Sequence, residues 1–304
     1  MKASQIYAKT MKFVWLKLGI GAMIAGISLV LLAIVVGISL LANSGELLLV
    51  LGLVWYILTY GIFRAVMHYM GYMIKAAHIA VVSEAVTTGM IPDNMVETGK
   101  QMVKSRFATS NVYIVLDKLV GGAVKQLQKA VGSVGNLLGD VPGISSIVSI
   151  LQMFIGIALG YIDECCLGYT FYKKDEKAFK AGCDGVAIYF QNTKHLMKSA
   201  VGTTVIVLGL SFVAWIIPFI IFGLIFAAIG VPFAWLFAAL IAVIVAAAIK
   251  SSFIDSYMMV KTMVSYMSVA PSTQITFDIY DKLCKLSSKF KQLFTKSKEE
   301  TAVM

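Results

Sequence analysis

The longest stretch of this chain without a charged side chain limits what it can fold into. The 51 residues from Ser199 to Ile249 contain no Asp, Glu, Lys or Arg, and shorter uncharged stretches separate Lys17 from Glu46 and Glu46 from Arg64. Apolar runs of about 18 residues or more are typical of helices that cross a lipid bilayer. These runs are too long and too rich in Leu, Ala and Gly for barrel strands. We therefore predict an all-α, polytopic helical membrane protein.

The composition excludes several classes of soluble protein. Apolar residues make up 59% of the 304 residues and charged residues 14%, against roughly 45–50% and about 25% in ordinary globular proteins. This balance excludes a cytosolic enzyme, a disordered chain and a disulfide-framed secreted domain. The histidines and cysteines lack the spacing of metal ligands, and no nucleotide-binding or hydrolase motif is present. We predict no enzymatic activity, no catalytic residue, no metal site and no cofactor.

The net charge of +10 predicts how the protein meets its surroundings. The Lys and Arg residues flank the apolar runs, which is typical of anchors beside a membrane rather than of a nucleic-acid interface. The predicted partner is a lipid bilayer with anionic lipids at its cytoplasmic face, and nucleic acid is not a predicted partner. A homo-oligomer or a membrane partner protein fits the same sequence.

The alternation of apolar and polar stretches predicts six segments. They are a two-span hairpin over 1–74, an amphipathic cytoplasmic or interfacial segment over 75–142, a re-entrant or additional membrane helix over 143–172, a basic cytoplasmic segment over 173–199, a second two-span hairpin over 200–265 and a basic amphipathic tail over 266–304. Residues 111–138 fit either a helix on the membrane surface or a helix packed on other helices. Glycines at 19, 21, 26 and 37 predict close packing of the first span, and Pro218 predicts a kink or break.

The basic residues also predict the topology. They are frequent before the first span, over 75–140, over 173–198 and in the tail, and they are absent from the turns near Gly45 and Gly230. Basic stretches stay on the cytoplasmic side of a membrane. We therefore predict four full spans with both termini cytoplasmic. The apolar run 144–162 is then re-entrant, or it pairs with 111–138 as a hairpin.

Ionisable groups in or beside the apolar runs are the first candidate functional residues, because charges are costly within a bilayer. They are Arg64, His68, Asp163, Glu164, Lys250 and Asp255. Arg64 and His68 share one helix face because they are four residues apart. They either reach to the membrane surface, or Arg64 pairs with an acid such as Glu164 or Asp255. Asp163 and Glu164 end an apolar run, where solvation at the interface is the simplest alternative to a functional role.

Hydroxyl and aromatic side chains add further candidates. The polar stretch 251–257 either lines a cation path or is a helix that leaves the membrane. Tyr161 lies beside Asp163 in the sequence, and Tyr257 lies beside Asp255. Both pairs suit a cationic group through cation–π contact. The aromatic belts that mark membrane surfaces explain the same residues without a ligand.

Three short motifs in the second half of the chain resemble the choline transporter-like family. Tyr161-Ile162-Asp163 closes an apolar run, and Phe253-Ile254-Asp255-Ser256 is similar to the family's Val-Asp-Thr element. Residues 181–192 (AGCDGVAIYFQN) are similar to its Ser-Ala-Lys-Asn-Ala-Phe…Arg-Asn stretch. The family's acidic Glu-Asp-Leu-Glu-Arg-Asn run is replaced here by Lys261-Thr262-Met263. On these motifs the chain looks like a remote, shortened relative.

The resemblance places Asp163, Asn192 and Asp255 at matching positions and implies transport of a small cationic or amino-alcohol solute. With the polar groups at membrane depth, it predicts an integral membrane transporter or permeation protein. The candidate binding or pathway residues are Arg64, His68, Tyr161, Asp163, Glu164, Asn192, Lys250, Asp255 and Tyr257. The alternatives are a non-enzymatic membrane scaffold or partner-binding subunit, and an oligomeric ion channel.

Overall fold

The computed structural model of the chain describes residues 1–107, 110–136 and 161–302. Within these ranges the regular structure is helical throughout. The α-helices are α1 (Ala3–Lys9), α2 (Met11–Leu41), α3 (Gly45–Thr88), α4 (Met95–Phe107), α5 (Ser110–Asn136), α6 (Ile162–Tyr172), α7 (Ala178–Gln191), α8 (Thr193–Ala228), α9 (Ala234–Ile249), α10 (Asp255–Met267), α11 (Phe277–Leu286) and α12 (Ser288–Ala302). A π-helix (Lys250–Ile254) joins α9 to α10, and a 3₁₀ turn (Ala270–Ser272) follows α10.

Four helical segments are long and apolar enough to cross a membrane. They are Met11–Leu41, Gly45–Thr88, Thr204–Ala228 and Ala234–Ser272. Their exposed surfaces carry large apolar side chains such as Leu41, Ile57 and Leu224, as expected where a helix faces lipid rather than water. The prediction of an all-α, multi-pass membrane protein is thus confirmed, and the described residues contain four candidate spans. The described chain does not contain the run 144–160, so the predicted re-entrant element lies outside the described residues.

The chain divides into two compact units. The first, here called the membrane bundle, comprises Met11–Lys75 and Ile206–Ser256. The second, here called the helical unit, comprises Met1–Thr10, Ala76–Val205 and Tyr257–Met304. The helix α3 contributes to both, because its 44 residues extend about 66 Å at ~1.5 Å per residue. That length is about twice the ~30 Å hydrocarbon thickness of a bilayer.

Close packing of small and aromatic residues holds the membrane bundle together. Its buried core includes Leu32, Leu48, Trp55, Phe237 and Ile241. The indole nitrogen of Trp55 donates a 2.9 Å hydrogen bond to the carbonyl oxygen of residue 28, which ties α3 to α2. Buried aromatic rings and satisfied indole N–H groups are the usual means of joining helices where water cannot compete.

Only part of the predicted glycine packing is present. A Cβ atom built on Gly21 would lie 2.7 Å from the Cβ of Ala248, so α2 and α9 approach closely there. Among the described residues, no neighbouring atom lies within 4 Å of the corresponding point on Gly19, Gly26 or Gly37. Within the described chain the predicted close packing is thus confirmed for Gly21 and absent at the other three, which lie on other faces of the same helix.

The second membrane hairpin is continuous through its proline and turns sharply afterwards. Helix α8 runs unbroken from Thr193 to Ala228 with Pro218 inside it, so the predicted break is absent. The chain then reverses with Gly230 at φ 75° and Phe233 at φ 57°. Both values lie in the left-handed region that glycine adopts readily and other residues seldom do. The predicted turn around Gly230 is present.

The core of the helical unit is the pair α6 and α7. Helix α6 buries Cys165, Cys166 and Leu167 completely, and α7 buries Ala181, Val186 and other residues of the stretch predicted to be a basic cytoplasmic segment. Burial raises the pKa of the thiols of Cys165 and Cys166 well above its usual range. A protonated, buried thiol is a small apolar group rather than a nucleophile.

The amphipathic segments pack onto this core. Leu116, Val120 and Leu127 of α5 are fully buried, so the structure has the second of the two alternatives for 111–138, a helix packed on other helices. The tail is docked as well, with Phe290 and Leu293 of α12 at 0% exposure. Apolar area removed from water, roughly 25 cal/mol per Å², is what holds such helices in place.

Arg106 closes the end of α6. Its Nε donates a 2.6 Å hydrogen bond to the carbonyl oxygen of Thr170, and its Nη2 donates a 3.1 Å bond to that of Lys173. The last carbonyl groups of a helix have no partner within the helix and carry partial negative charge. Burial lowers the pKa of the Arg106 guanidinium, and the nearby carboxylates oppose that change. The side chain therefore has a structural role.

Candidate functional site

A cavity in the membrane bundle brings together four of the residues predicted from the sequence. It has a volume of about 860 Å³ and is lined by residues of α3, the end of α9, the π-helix and the first residue of α10. Arg64 and His68 lie on the α3 side, and Lys250 and Asp255 lie on the other. Phe63, Met67 and Ala247 form the apolar part of the lining. The cavity therefore has a polar edge of ionisable groups on an apolar wall.

The π-helix brings Lys250 and Asp255 together. The Asp255 N–H bonds to the Lys250 carbonyl oxygen, which is the i→i+5 pattern of a π-helix. The Lys250 Nζ lies 2.6 Å from the Asp255 Oδ1. In a regular α-helix, residues five apart point in different directions, so the wider turn brings the two charges to one side. Single π-turns within α-helices occur frequently at functional sites, and nothing in the sequence predicted this one.

The predicted shared face of Arg64 and His68 is present, and both side chains are exposed. The His68 ring packs near Tyr69 and Tyr72, with ring centroids 5.6 and 6.3 Å away. Among the residues that the structure describes, the Arg64 guanidinium forms no ion pair. The predicted pairing with Glu164 or Asp255 is therefore absent there, and the alternative that these side chains reach to the membrane surface stays a prediction.

The cavity lies about one hydrocarbon thickness from the hairpin turns of the bundle. Both turns are at the same end, because a Cβ on Gly45 would lie 3.7 Å from the Phe233 ring. From Glu46 to Arg64 the helix rises ~27 Å, and from Ala234 to Lys250 it rises ~24 Å, at ~1.5 Å per residue. The charged residues therefore lie, along their helices, slightly less than the ~30 Å thickness of a hydrocarbon core from these turns.

Lys17 is a buried charge near the π-helix that sequence reasoning did not select. Only 6% of it is exposed, and its Nζ donates a 3.0 Å hydrogen bond to the Ser256 hydroxyl. The sequence contained a signal for it, since Lys17 shares a helix face with the buried residues Gly21, Ile24 and Ser28. A lysine on the packing face of a span indicates a buried polar contact, whereas a lysine that only precedes a span indicates a membrane anchor.

The other predicted residues belong to the helical unit and do not line the cavity. Tyr161 and Glu164 are buried, at 7% and 5% exposure, and Asp163 is half-buried. Glu164 is thus shielded from solvent, so the alternative of an interfacial, solvated carboxylate is wrong for it. Burial of Tyr161 also removes it from the predicted aromatic belt.

Asn192 and Tyr257 have packing roles in the same unit. The Asn192 Nδ2 donates 2.9 Å hydrogen bonds to the Ile188 carbonyl oxygen and the Thr273 hydroxyl, which fastens the end of α7. The Tyr257 ring meets the Tyr7 ring edge to face, with centroids 5.3 Å apart. An amide whose N–H₂ is engaged in this way has a structural task that requires no ligand.

Over the described ranges, no group of three or more His, Cys, Asp or Glu side chains is placed to hold a metal ion. The buried cysteines lie in the core of the helical unit, and burial raises the pKa of the Cys183 thiol as well. The basic groups and single carboxylate of the cavity therefore define its chemistry.

Comparison with models of protein families, with curated proteins and with solved structures finds no match to this chain. The resemblance to the choline transporter-like family remains a prediction from short motifs. Of its three matching positions, Asp255 alone lines the cavity, and Asp163 and Asn192 lie in the helical unit. The functional argument therefore depends on the cavity.

Proposed function

We propose that this protein is a non-enzymatic membrane transporter or permeation protein, and that the cavity beside the π-helix receives its small solute. The observation that carries the proposal is the convergence of Arg64, His68, Lys250 and Asp255 on one cavity among membrane-spanning helices. Ionisable groups on membrane-spanning helices are costly within the hydrocarbon core, and those that face a cavity together commonly mark a solute or ion pathway. The π-turn, a local weakness in the i→i+4 bonding, supplies an element able to rearrange.

The charges of the lining favour an anionic solute over the cationic one that the family resemblance implies. Two basic side chains, Arg64 and Lys250, and a histidine surround a single carboxylate, Asp255. That carboxylate already forms an ion pair with the Lys250 ammonium group. A cation entering the cavity would have to displace this ammonium group and approach Arg64.

We expect proteoliposomes containing the protein to take up at least one of three labelled probes, choline, ethanolamine or inorganic phosphate, faster than protein-free vesicles. The Arg64→Gln variant should lose about tenfold of that uptake, because one charge-assisted hydrogen bond contributes roughly 1.5–3 kcal/mol. The Lys100→Gln variant is the control, since this exposed residue lies on α4. Folded protein that moves none of the three probes contradicts transport.

A groove on the helical unit supports the second candidate, a membrane scaffold or partner-binding subunit. It has a volume of about 660 Å³ between α5 and α12. Four lysines, Lys118, Lys289, Lys291 and Lys296, and one acid, Glu299, line it. A partner bound in stoichiometric amounts, without any probe flux, would favour this candidate. Unitary currents in planar bilayers would instead favour an oligomeric channel.

We further propose that both termini are cytoplasmic and that anionic lipids contact the basic segments. The Phe179 N–H of α7 donates a 3.0 Å hydrogen bond to the Glu300 carboxylate of α12. This contact supports a common side for the segment 173–199 and the tail, because both pack in the helical unit. Their lysines favour the cytoplasmic side.

Tags inserted after Asp175 and after Met304 test this topology in sealed vesicles of known orientation. We expect a protease added on the cytoplasmic face to remove both tags, because the two insertion points belong to segments of one compact unit. A tag in the turn at Ser44 should be protected in the same vesicles. Protection of the first two tags on opposite sides would overturn the proposal.

A further inference from the structure

The Arg64 guanidinium is the uncompensated charge of the cavity. The Lys250 charge is balanced by Asp255, whose Oδ1 lies 2.6 Å from the Lys250 Nζ. Within the described part of the chain no carboxylate pairs with Arg64. The ionised side chains Arg64, Lys250 and Asp255 therefore give the cavity one net positive charge. A fixed positive charge on a low-dielectric wall attracts an anion more strongly than the same charge in water.

The shape of the lining further limits which anions fit the cavity. A planar guanidinium with its fork of N–H donors matches the oxygens of a phosphate group. Beside it, Phe63, Met67 and Ala247 form an apolar wall. A ligand that satisfies both parts has a phosphate at one end and apolar atoms at the other.

The depth of the cavity agrees with this description. Arg64 and Lys250 lie ~24–27 Å along their helices from the hairpin-turn end of the bundle, close to the ~30 Å hydrocarbon thickness. With the hairpin turns placed at one membrane surface, this distance puts both side chains near the head groups of the opposite leaflet, where a lipid reaches the cavity without crossing water. Side chains exposed there, such as Arg64 and Tyr69, are accessible from the head-group layer.

We infer that this cavity binds a phosphate anion through Arg64, with the phosphate carried by an amphipathic molecule at head-group depth. The inference rests on the cavity of the proposed function and names the class of its ligand. A phospholipid head group and a soluble phosphate ester share this chemistry. Arg64 acts as the anion ligand, and the Lys250–Asp255 pair sets the charge around it.

Asp255 distinguishes an anion site from a cation site by the sign of its effect. In an anion site its carboxylate repels the ligand and neutralises Lys250. Removing that negative charge leaves Lys250 unbalanced and strengthens anion binding. In a cation site Asp255 would be the ligand, and its removal would weaken binding.

The test measures lipid retention by the purified full-length protein. The protein is placed in nanodiscs of phosphatidylcholine with about one fifth phosphatidic acid, and lipids that remain bound after transfer to detergent are counted by native mass spectrometry. Wild type should retain phosphatidic acid in preference to phosphatidylcholine. Arg64→Gln should weaken retention about tenfold, Asp255→Asn should strengthen it severalfold, and Lys100→Gln should leave it unchanged.

Two further arms separate the possible sources and guard against misfolding. Titration of the delipidated protein with inorganic phosphate and glycerol phosphate shows whether soluble anions compete with the lipid. The Arg64→Lys variant keeps the positive charge but loses the forked N–H donors of the guanidinium. It should therefore retain an intermediate amount of phosphatidic acid even if Arg64→Gln does not fold. No preference for phosphatidic acid over phosphatidylcholine, an unchanged Arg64→Gln variant, or weaker binding by Asp255→Asn overturns the inference.

These experiments can refute the anion-site inference and the transport proposal independently of each other. Phosphate-dependent binding without probe uptake in proteoliposomes retains the anion site and removes the transporter proposal. Uptake of choline that depends on Asp255, without phosphate binding, retains transport and removes the anion site.

Discussion

Replacing Gly21 with leucine will loosen the membrane bundle, whereas the same change at Gly19 will not. A Cβ on Gly21 would lie 2.7 Å from the Ala248 Cβ and 3.4 Å from the Ala248 Cα, so a side chain there forces the backbones of α2 and α9 apart. Overfilling a packed contact of this kind typically costs 1–3 kcal/mol, and sometimes more. Gly19 has no atom within 4 Å of the corresponding point.

The pair of variants isolates the helix–helix contact. Both changes remove a helical glycine, which contributes about 0.5–1 kcal/mol in favour of either variant, so only the contact with Ala248 differs. Thermal unfolding in detergent, followed by size-exclusion chromatography, should show a lower midpoint for Gly21→Leu only. Phosphate binding should weaken in the same variant, since Lys250 is two residues beyond Ala248. Equal midpoints for the two variants would show that α2 and α9 do not meet at Gly21.

Truncation of Leu293 to alanine will release α12 from the helical unit. The Leu293 side chain is fully buried, and removing a buried leucine typically destabilises a fold by 2–5 kcal/mol through lost burial and the remaining cavity. Leu286→Ala is the matched control, because Leu286 is 54% exposed. Exposed positions of this kind usually change stability by no more than about 0.5 kcal/mol.

Hydrogen exchange of the full-length protein reports the outcome directly. We expect faster exchange of the α12 amides in Leu293→Ala and unchanged exchange in Leu286→Ala. Exchange should also accelerate near Gln126 of α5, whose amide oxygen accepts hydrogen bonds from the Ser287 hydroxyl and the Lys289 N–H. If both variants exchange at the wild-type rate, α12 is not held to the helical unit by its buried face.

Much of the fold was predictable, and the reason is physical. Membrane insertion depends on hydropathy summed along one segment, which requires no knowledge of neighbouring helices. The four apolar spans could therefore be predicted from the sequence. The shared face of Arg64 and His68 could be predicted as well, because it follows from the period of one helix.

The burial of polar segments was not predictable in the same way. The stretch 173–199 contains several lysines and was predicted to be a basic cytoplasmic segment, yet α7 buries most of its residues against α6. Its apolar side is short and is interrupted by Asp184, which bonds to Lys180 and to the Tyr280 hydroxyl. A carboxylate with these partners is tolerated at 6% exposure, and those partners are known only from the packed structure.

The membrane class, the four apolar spans of the described residues and the set of ionisable residues beside them follow from the chain's local chemistry, because transfer free energies and helical periods belong to single segments. The assignment of those residues to sites required the packed molecule. Lys250 and Asp255 meet through a π-turn, Lys17 is buried through contacts with Ser256, and Glu164 is enclosed in the helical unit. Each outcome depends on how helices rotate and approach one another, which arises from contacts between residues far apart in the chain.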